Sequence, residues 1–193
     1  MRQIIRDTIA ASIGVKEQIL VSEHLTNEIE AAANAFIAAF RSDGKVLFCG
    51  NGGSAADAQH LAAELSGRFY INRRALFAEA LHVNTSFLTA VGNDYGFDAV
   101  YARMVEAAGR PGDVLVAIST SGNSPNILNA VAQARKTGMT IIGMTGANGG
   151  QLRDTCDILL NVPSTDTPRI QESHILIGHI ICQLVEGELF STI

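Results

Sequence analysis

The sequence has 193 residues, the length of one ordinary domain, and only 17% of them are charged. Soluble proteins average roughly 25% charged residues, so this composition indicates either a membrane span or a large area buried between subunits. No stretch reaches the about 18 uninterrupted apolar residues of a span, and residues 1–7 lack the apolar core of a secretion signal. We therefore predict a cytoplasmic homo-oligomer without membrane contact. A net charge of −5 without a basic run excludes a general nucleic-acid-binding surface.

The three cysteines lie far apart in the sequence. Cys49, Cys156 and Cys182 form no CxxC pair, and an odd number does not suit a framework of disulfide bonds. We therefore predict neither a disulfide scaffold nor a thiolate zinc site, and we interpret the three as small buried residues.

Residues 1–43 have the apolar spacing of helices and no strand pattern. Ile9 and Ile13 lie four residues apart in a first segment, as do Leu25 and Ile29 in a second. We therefore predict a helical N-terminal extension and expect it to take part in packing between subunits.

After this extension, short apolar runs alternate with segments long enough for crossover helices. A continuous run such as Val114–Ile118 is typical of a strand covered on both faces, as in a parallel sheet. The alternation predicts a doubly wound α/β fold, a three-layer αβα sandwich, in one domain over residues 1–193. The last helix, from Arg169 to about Phe190, is apolar on several faces and is predicted to be buried. The predicted strands are Lys45–Cys49, Leu76–Val83, Val114–Ile118, Thr140–Met144 and Ile158–Val162.

One predicted strand carries a charge, Glu79, within the run Leu76–Val83. A charge in a central strand costs free energy unless it is paired. We therefore expect either a subunit interface near this strand or a partner for Glu79.

Two predicted strands end in loops rich in glycine and hydroxyl groups. The first loop, Gly50–Ser54, precedes a helix predicted over Ala55–Leu65, and the second, Ser119–Ser124, precedes Pro125 and another helix. Ligands bind at the carboxyl ends of parallel strands. Glycines allow a close approach of the backbone, and the N–H groups and dipole at a helix start attract a phosphate. The loops therefore predict a phosphate site that needs no cluster of basic residues.

A nucleotide site is a weaker interpretation of the same loops. Gly50-x-Gly52-x-x-Ala55 fits the loose dinucleotide fingerprint, but the end of the second strand, Leu81–Thr85, has no acidic residue for a ribose. Neither loop continues into Gly-Lys-Ser/Thr, which excludes a Walker loop.

Candidate acid–base and metal-binding residues lie on two predicted helices. Asp57, His60 and Glu64 share one helix face, because they are spaced i, i+3 and i+7. Gln171 and His179 are eight residues apart on the last helix, about 80° around its axis, and can converge on one cavity. A His and a Glu at i, i+4 with a distant His resembles a His₂-carboxylate metal site with an open position. We interpret the remaining histidines as structural, namely His24, His82 and His174.

Three motifs carry a resemblance to a known family. They are Cys49-Gly-Asn-Gly-Gly-Ser54, Ser119-Thr-Ser-Gly-Asn-Ser124 and Arg169-Ile-Gln-Glu172, and Val91–Phe97 adds to them. Over nearly its whole length the sequence resembles the SIS (sugar isomerase) domain proteins and, within them, the phosphoheptose isomerases. The resemblance implies a five-stranded, flavodoxin-like parallel sheet and a homotetramer with active sites at subunit interfaces.

The resemblance also implies an activity. It is the conversion of the small-molecule sugar phosphate sedoheptulose 7-phosphate to D-glycero-D-manno-heptose 7-phosphate. This is the first step toward ADP-heptose and GDP-heptose precursors for lipopolysaccharide or other surface glycans. Members that use a metal hold one zinc ion per subunit.

Individual residues receive roles from the same resemblance. The phosphate would be held by Ser54, Ser119, Thr120, Ser121 and Ser124. The sugar would be contacted by Asn51, Gly52, Gly53, Glu64, Asn93, Asp94 and Gln171. One zinc ion would be bound by His60, Glu64, Gln171 and His179, with Arg68 near the same site.

Aldose–ketose interconversion requires a base for the proton exchanged between C1 and C2, and an acid for the oxygens. We hypothesise that Glu64 takes the carbon-bound proton through an enediol and that His179 serves the oxygens. A free Glu, with a pKa of about 4.3, is a weak base, so burial should raise the pKa of Glu64. A tight bond from Glu64 to zinc would lower its basicity, so the two roles of this residue conflict.

Two other functions fit parts of the pattern. A non-catalytic SIS protein, such as a sugar-phosphate sensor or the adaptor that assists the bacterial replication initiator, keeps the phosphate loops. Such proteins tend to lose part of the His/Glu/Gln set, which is complete here at positions 60, 64, 171 and 179. An isomerase of hexose or pentose phosphates is the second alternative, because pocket depth rather than chain length decides sugar length.

Overall fold

The computed structural model describes residues 1–190 and places helices on both faces of a five-stranded parallel sheet. The strand order is β2-β1-β3-β4-β5, the flavodoxin-like order that the family resemblance implied. The strands are β1 (Val46–Gly50), β2 (Ala78–Ala80), β3 (Val114–Ile118), β4 (Thr140–Thr145) and β5 (Ile158–Asn161).

The helices form the two outer layers of the sandwich. Leu61 and Ile177 belong to the apolar core on one face of the sheet, and Tyr101 and Ile127 belong to the core on the other. The helices are α1 (Arg2–Leu20), α2 (Glu23–Arg41), α3 (Gly53–Ser66), α4 (Thr85–Tyr95), α5 (Val100–Ala108), α6 (Pro125–Thr137) and α7 (Thr167–Phe190). α2, α3 and α7 cover the first face, and α4, α5 and α6 cover the second.

Strand β2 is an edge strand, and the central position expected for Glu79 was wrong. Within residues 1–190, β2 pairs only with β1, so the local apolar pattern was right but the place of the strand in the sheet was not. Ala78 and Ala80 are buried, whereas Glu79 lies exposed between them. An exposed carboxylate remains hydrated, so Glu79 needs no partner in this chain.

The two N-terminal helices confirm the helical prediction for residues 1–43, but they differ in packing. Leu25 and Phe36 of α2 are buried in the core beneath the sheet. α1 lies outside α2 and α7 and leaves Ile5, Ile9 and Ile13 more than half exposed. α1 therefore presents an apolar stripe to its surroundings.

Two findings bear on the sequence-based exclusions. Within residues 1–190, no helix combines the length and apolar character needed to cross a membrane. The cysteines are free thiols, of which Cys49 and Cys182 are buried and Cys156 is half-buried.

His174 of α7 is fully buried and ties this helix to the end of β4. Its Nε2 donates to the carbonyl oxygen of Thr145 at 3.1 Å, and its Nδ1 has no hydrogen-bond partner within the described part of the chain. Burial lowers the pKa of His174 to about 4, although the carbonyl contact works in the opposite direction. The folded protein therefore holds a neutral imidazole here, as the structural interpretation of His174 predicted.

This buried imidazole predicts a pH-dependent loss of stability. Above pH 6.5, His174 is neutral in both the folded and the unfolded chain. Between about pH 6.5 and 4, it is protonated only in the unfolded chain. As the pH falls through that window, we expect His174 to lower the free energy of unfolding by on the order of 3 kcal/mol. Urea unfolding of His174→Gln should show a shallower decline between pH 6.5 and 4.5, and an equal slope would contradict the prediction.

Candidate functional site

The two glycine- and hydroxyl-rich loops start side by side at the carboxyl ends of adjacent strands. Gly50 of β1 is in register with Ile118 of β3, so Asn51 and Ser119 begin neighbouring loops. A Cβ on Gly50 would lie 2.5 Å from the carbonyl oxygen of Ser54. A larger residue would therefore push the first turn of α3 away from the strand end.

An amide pair joins the two loops. Asn51 Nδ2 donates to Asn126 Oδ1, and Asn126 Nδ2 donates back to Asn51 Oδ1, both at 2.9 Å. Asn126, in the first turn of α6, is buried. Each amide keeps one N–H and one oxygen lone pair for other partners, so Asn51 both fixes the loops and remains able to contact a ligand.

Three hydroxyl groups cluster at the start of α6. Ser119 Oγ lies 3.0 Å from Ser124 Oγ and 3.5 Å from Ser121 Oγ. Ser124 is the N-cap residue of α6, yet within the described residues its hydroxyl caps no backbone N–H of that helix. The cluster thus lies beside helix N–H groups and the positive end of a helix dipole, an arrangement that suits a phosphate.

A third segment, residues 146–152, is hydrogen-bonded to the second loop. Leu152 N donates to the carbonyl oxygen of Gly122 at 3.1 Å, and Gly146 N donates to that of Thr120 at 3.0 Å. Gly122 has φ of +67°, and a Cβ there would overlap the carbonyl oxygen of Gly149. The backbone of the hydroxyl loop is therefore fixed by contacts that only glycine permits.

Helices α3 and α7 run parallel and in contact, and they bring the predicted side chains of the two helices together. At one end, the side-chain amide of Gln171 lies so close to Gly53 that a Cβ added to Gly53 would overlap that amide. Farther along, Gly178 packs on Leu61, again with no room for a Cβ. Because Gly53 contacts Gln171 and Leu61 contacts Gly178, the two helices run in the same direction away from the first loop.

Farther along the two helices, His60, Glu64 and His179 converge, and their donor atoms lie within 4.8 Å of one another. His60 Nε2 is 3.0 Å from Glu64 Oε1 and 3.1 Å from His179 Nε2. The triad is partly open to solvent, since Glu64 and His179 are half-buried and His60 is exposed. The structure therefore brings together three of the four predicted metal-binding side chains, while the Gln171 amide lies toward the loop.

The three donor atoms of the triad suit a cation. The one Nε2–H of His60 can be donated along only one direction, so it cannot satisfy Glu64 and His179 together. Without that proton, the lone pair of His60 faces a carboxylate. A tetrahedral zinc ion with bonds of about 2.0–2.1 Å would hold its ligand atoms about 3.3 Å apart, close to the separations of His60 Nε2 from Glu64 Oε1 and from His179 Nε2. A divalent cation would thus satisfy all three groups at once.

Asp57 lies on α3 between Gly53 and His60. Its Oδ2 is buried and has no hydrogen-bond partner among residues 1–190. Burial raises the pKa of Asp57 to about 6, and the nearby His60 offsets part of that rise. The i, i+3, i+7 spacing made Asp57 an acid–base or metal-binding candidate on the same face as His60, but the resemblance gave it no individual role.

Other predicted residues lie away from these contacts. Asn93 and Asp94 are exposed in the last turn of α4, where Asn93 Nδ2 donates to Asp94 Oδ1 at 2.8 Å. Within residues 1–190, no hydrogen bond joins them to either loop. Arg68 is exposed just after α3. Their assigned roles in substrate and metal contact remain predictions.

The known proteins to which the chain is similar agree with this geometry. The SIS domain family pattern matches residues 14–146. The phosphoheptose isomerase of Rhodospirillum rubrum is 60% identical over 163 residues, which cover 84% of this chain and 87% of that protein. The phosphoheptose isomerase of Sulfurimonas denitrificans is 50% identical over 190 residues, which cover 98% of this chain and 97% of that protein.

A solved structure extends the similarity to the fold. The phosphoheptose isomerase of Neisseria gonorrhoeae superposes with a TM-score of 0.91 at 46% identity, covering 96% of this chain and 98% of that one. Identity at this level over nearly the full length of both chains separates an isomerase from more distant SIS proteins that share only the fold. The chain therefore belongs to the SIS domain family and, within it, to the phosphoheptose isomerases.

Proposed function

We propose that this isomerase converts sedoheptulose 7-phosphate to D-glycero-D-manno-heptose 7-phosphate, with Glu64 and His179 as its proton-transfer groups. The observation that carries the proposal is the convergence of Glu64, His60 and His179 from helices α3 and α7, which pack together from the first glycine-rich loop onward. The names of relatives at 50–60% identity support the same substrate class. The product would supply the synthesis of surface glycans.

The two loops would bind the phosphate end of the sugar. The hydroxyl groups of Ser119, Ser121 and Ser124 lie together at the start of α6, and Ser54 lies in the first turn of α3. Two helix dipoles would stabilise the phosphate charge where no lysine or arginine is required. Asn51, Gly52, Gly53 and Gln171 lie in or beside the first loop and would contact the sugar hydroxyls.

The triad would act on the opposite, carbonyl end of the open-chain ketose. The Glu64 carboxylate would remove a proton from C1, and the electrons of that C–H bond would form the C1–C2 double bond of an enediol. His179 would give a proton to O2 and take the proton of O1, and Glu64 would return its proton to C2. The sugar neither gains nor loses protons overall, so no redox partner is required.

The metal would be zinc, held by His60, Glu64 and His179, with Gln171 as the fourth ligand in the set predicted from the family. Two imidazoles and a carboxylate are the donors that catalytic zinc sites use. When bound, zinc supplies Lewis-acid polarisation of the carbonyl oxygen. The helical rise of about 1.5 Å per residue puts Gln171 about 12 Å before His179 along α7, so its amide would have to extend toward the triad.

The proposal includes a homotetramer of single-domain, 193-residue subunits located in the cytoplasm. The exposed stripe of Ile5, Ile9 and Ile13 on α1 supports subunit packing, because an apolar surface of this kind marks an interaction site. Three free thiols suit a reducing compartment. We expect Ile9→Glu to shift the mass measured by light scattering below that of a tetramer, whereas Glu79→Gln should leave it unchanged.

The function is tested by incubating the purified protein with sedoheptulose 7-phosphate and following the sugar by NMR. We expect turnover that falls at least about tenfold after a chelator and returns with zinc, since a Lewis acid supplies several kcal/mol of transition-state stabilisation. No turnover in either condition would favour the non-catalytic adaptor. Full activity after rigorous metal removal would support the isomerase activity but contradict the proposed role of zinc. Turnover of only hexose or pentose phosphates would contradict the proposed substrate.

A further inference from the structure

The segment between α3 and β2, residues 67–77, contains no helix or strand but is held by one buried carboxylate. Glu186 of α7 is 1% exposed. Its oxygens accept the backbone N–H groups of Phe69 at 2.9 Å, Tyr70 at 2.7 Å and Ile71 at 3.0 Å. Three consecutive N–H groups on one carboxylate fix the path of this segment over α7.

The charge of Glu186 is balanced by Arg73 in the same segment. Arg73 Nε donates to Glu186 Oε1 at 2.9 Å, and both side chains are almost fully buried. Burial alone would raise the pKa of Glu186, but the three backbone N–H groups and Arg73 outweigh it and lower that pKa. The pair is therefore ionised at neutral pH.

The rest of the Arg73 guanidinium binds the end of α3. Its Nη2 donates to the carbonyl oxygen of Glu64 at 2.9 Å, and its Nη1 donates to those of Leu65 at 2.8 Å and Gly67 at 3.1 Å. The last carbonyl groups of a helix have no partners within it and carry its negative dipole end, so a guanidinium suits them. One ion pair thus connects the last turn of α3 to α7.

These contacts bear directly on the triad. Glu64 contributes its side chain to the triad and its carbonyl oxygen to Arg73. His179 lies seven residues before Glu186, two helical turns away on the same face of α7. The ring of Phe69, which Glu186 holds through the backbone, packs on the ring of His179 with centroids 5.4 Å apart.

We propose that Arg73 and Glu186 are positioning residues that set the separation and orientation of Glu64 and His179. The inference rests on the proposed function for its kinetic test, but the geometry of the triad can be tested without substrate. Replacing a residue that contacts and orients a metal ligand, without touching the metal itself, typically changes metal affinity or activity by about 10–100-fold.

The test uses Arg73→Lys, Glu186→Gln and Phe69→Leu in the full chain. Lysine keeps the charge but loses the planar fork that reaches Glu186 and α3 together. We expect Arg73→Lys and Glu186→Gln to lower kcat about tenfold or more. KM should change by less than about threefold, because the phosphate loops lie at the other end of α3. Phe69→Leu leaves the ion pair intact and should produce a smaller fall in kcat.

Asp113→Asn is the matched control for a buried ion pair. Asp113 is buried, accepts the backbone N–H groups of Lys45 and Arg110, and contacts Lys45 Nζ at 2.6 Å. It precedes β3 and therefore lies at the amino ends of the strands, whereas the loops lie at their carboxyl ends. This variant should lose stability in thermal unfolding but keep its kcat.

A substrate-free readout separates this inference from the proposed function. Titration of the metal-free proteins with Co²⁺, followed by its visible absorption, should show affinity weakened about tenfold or more in Arg73→Lys and Glu186→Gln. Asp113→Asn should bind like the wild type. Unchanged Co²⁺ affinity and spectrum in folded Arg73→Lys or Glu186→Gln would overturn the positioning role, whether or not sedoheptulose 7-phosphate is the substrate. If the wild type binds Co²⁺ but does not turn over this sugar, only the proposed function fails.

Discussion

Replacement of Glu64 by Gln is expected to lower kcat by about 100-fold or more, the range for removing a positioned general base. The glutamine amide occupies nearly the same volume as the carboxylate but cannot accept the proton from C1. Glu64 is half-buried beside His60, and its helix is held at both ends, so the substitution should leave the fold unchanged. The measurement is kcat with sedoheptulose 7-phosphate, together with the metal content of each preparation.

The metal content resolves the conflict between the two roles of Glu64. A variant that keeps its zinc and loses kcat would identify Glu64 as the base, whereas recovery of activity with excess zinc would identify it mainly as a ligand. Glu79→Gln is the matched control, since it removes an exposed carboxylate from the edge strand β2. A Glu64→Gln enzyme that retained more than about a tenth of the wild-type rate would contradict a general-base role.

The loops and the face of α3 could be predicted from the sequence because their signals are local. A buried apolar run followed by glycines and hydroxyls indicates a strand end and a helix start, and the structure places Gly50 and Ser119 there. The spacing of His60 and Glu64 follows from the helical period alone. Convergence with His179 required the parallel packing of α3 on α7, which depends on distant pairs such as Gly178 and Leu61.

Other features of the site depended on tertiary structure that no local pattern contains. The order of strands decided that Glu79 is exposed, since the same alternation occurs in central and edge strands. Glu186 was detectable as a charge within an apolar helix, which calls for a partner. Arg73, its partner 113 residues away, could not be identified before the fold was known. The role of Asn126 likewise could not be predicted, because an asparagine at a helix start is common and its hydrogen bond to Asn51 depends on the fold.

The substitution Gly122→Ala is expected to damage the phosphate end of the site. Two effects combine: the positive φ of +67° disfavours any side chain, and the new Cβ would overlap the carbonyl oxygen of Gly149. Strain and displaced backbone together should lower the free energy of unfolding by about 2–4 kcal/mol. Because Ser121 and Ser124 flank this position, the hydroxyl cluster should separate. We expect KM for the sugar phosphate to rise at least about tenfold, the equivalent of losing about one charge-assisted hydrogen bond.

Gly112→Ala separates backbone strain from the overlap at Gly122. Gly112 also has a positive φ, +86°, but no atom lies within 4 Å of the Cβ position among the described residues, and it belongs to the turn before β3. The Gly112→Ala variant should lose only about 1 kcal/mol in its free energy of unfolding and keep the KM of the wild type. Urea unfolding and titration with inorganic phosphate would be compared for both variants. If Gly122→Ala bound phosphate as tightly as Gly112→Ala, the loop at Ser119–Ser124 would not be the phosphate site, because its backbone cannot accept this methyl group without moving.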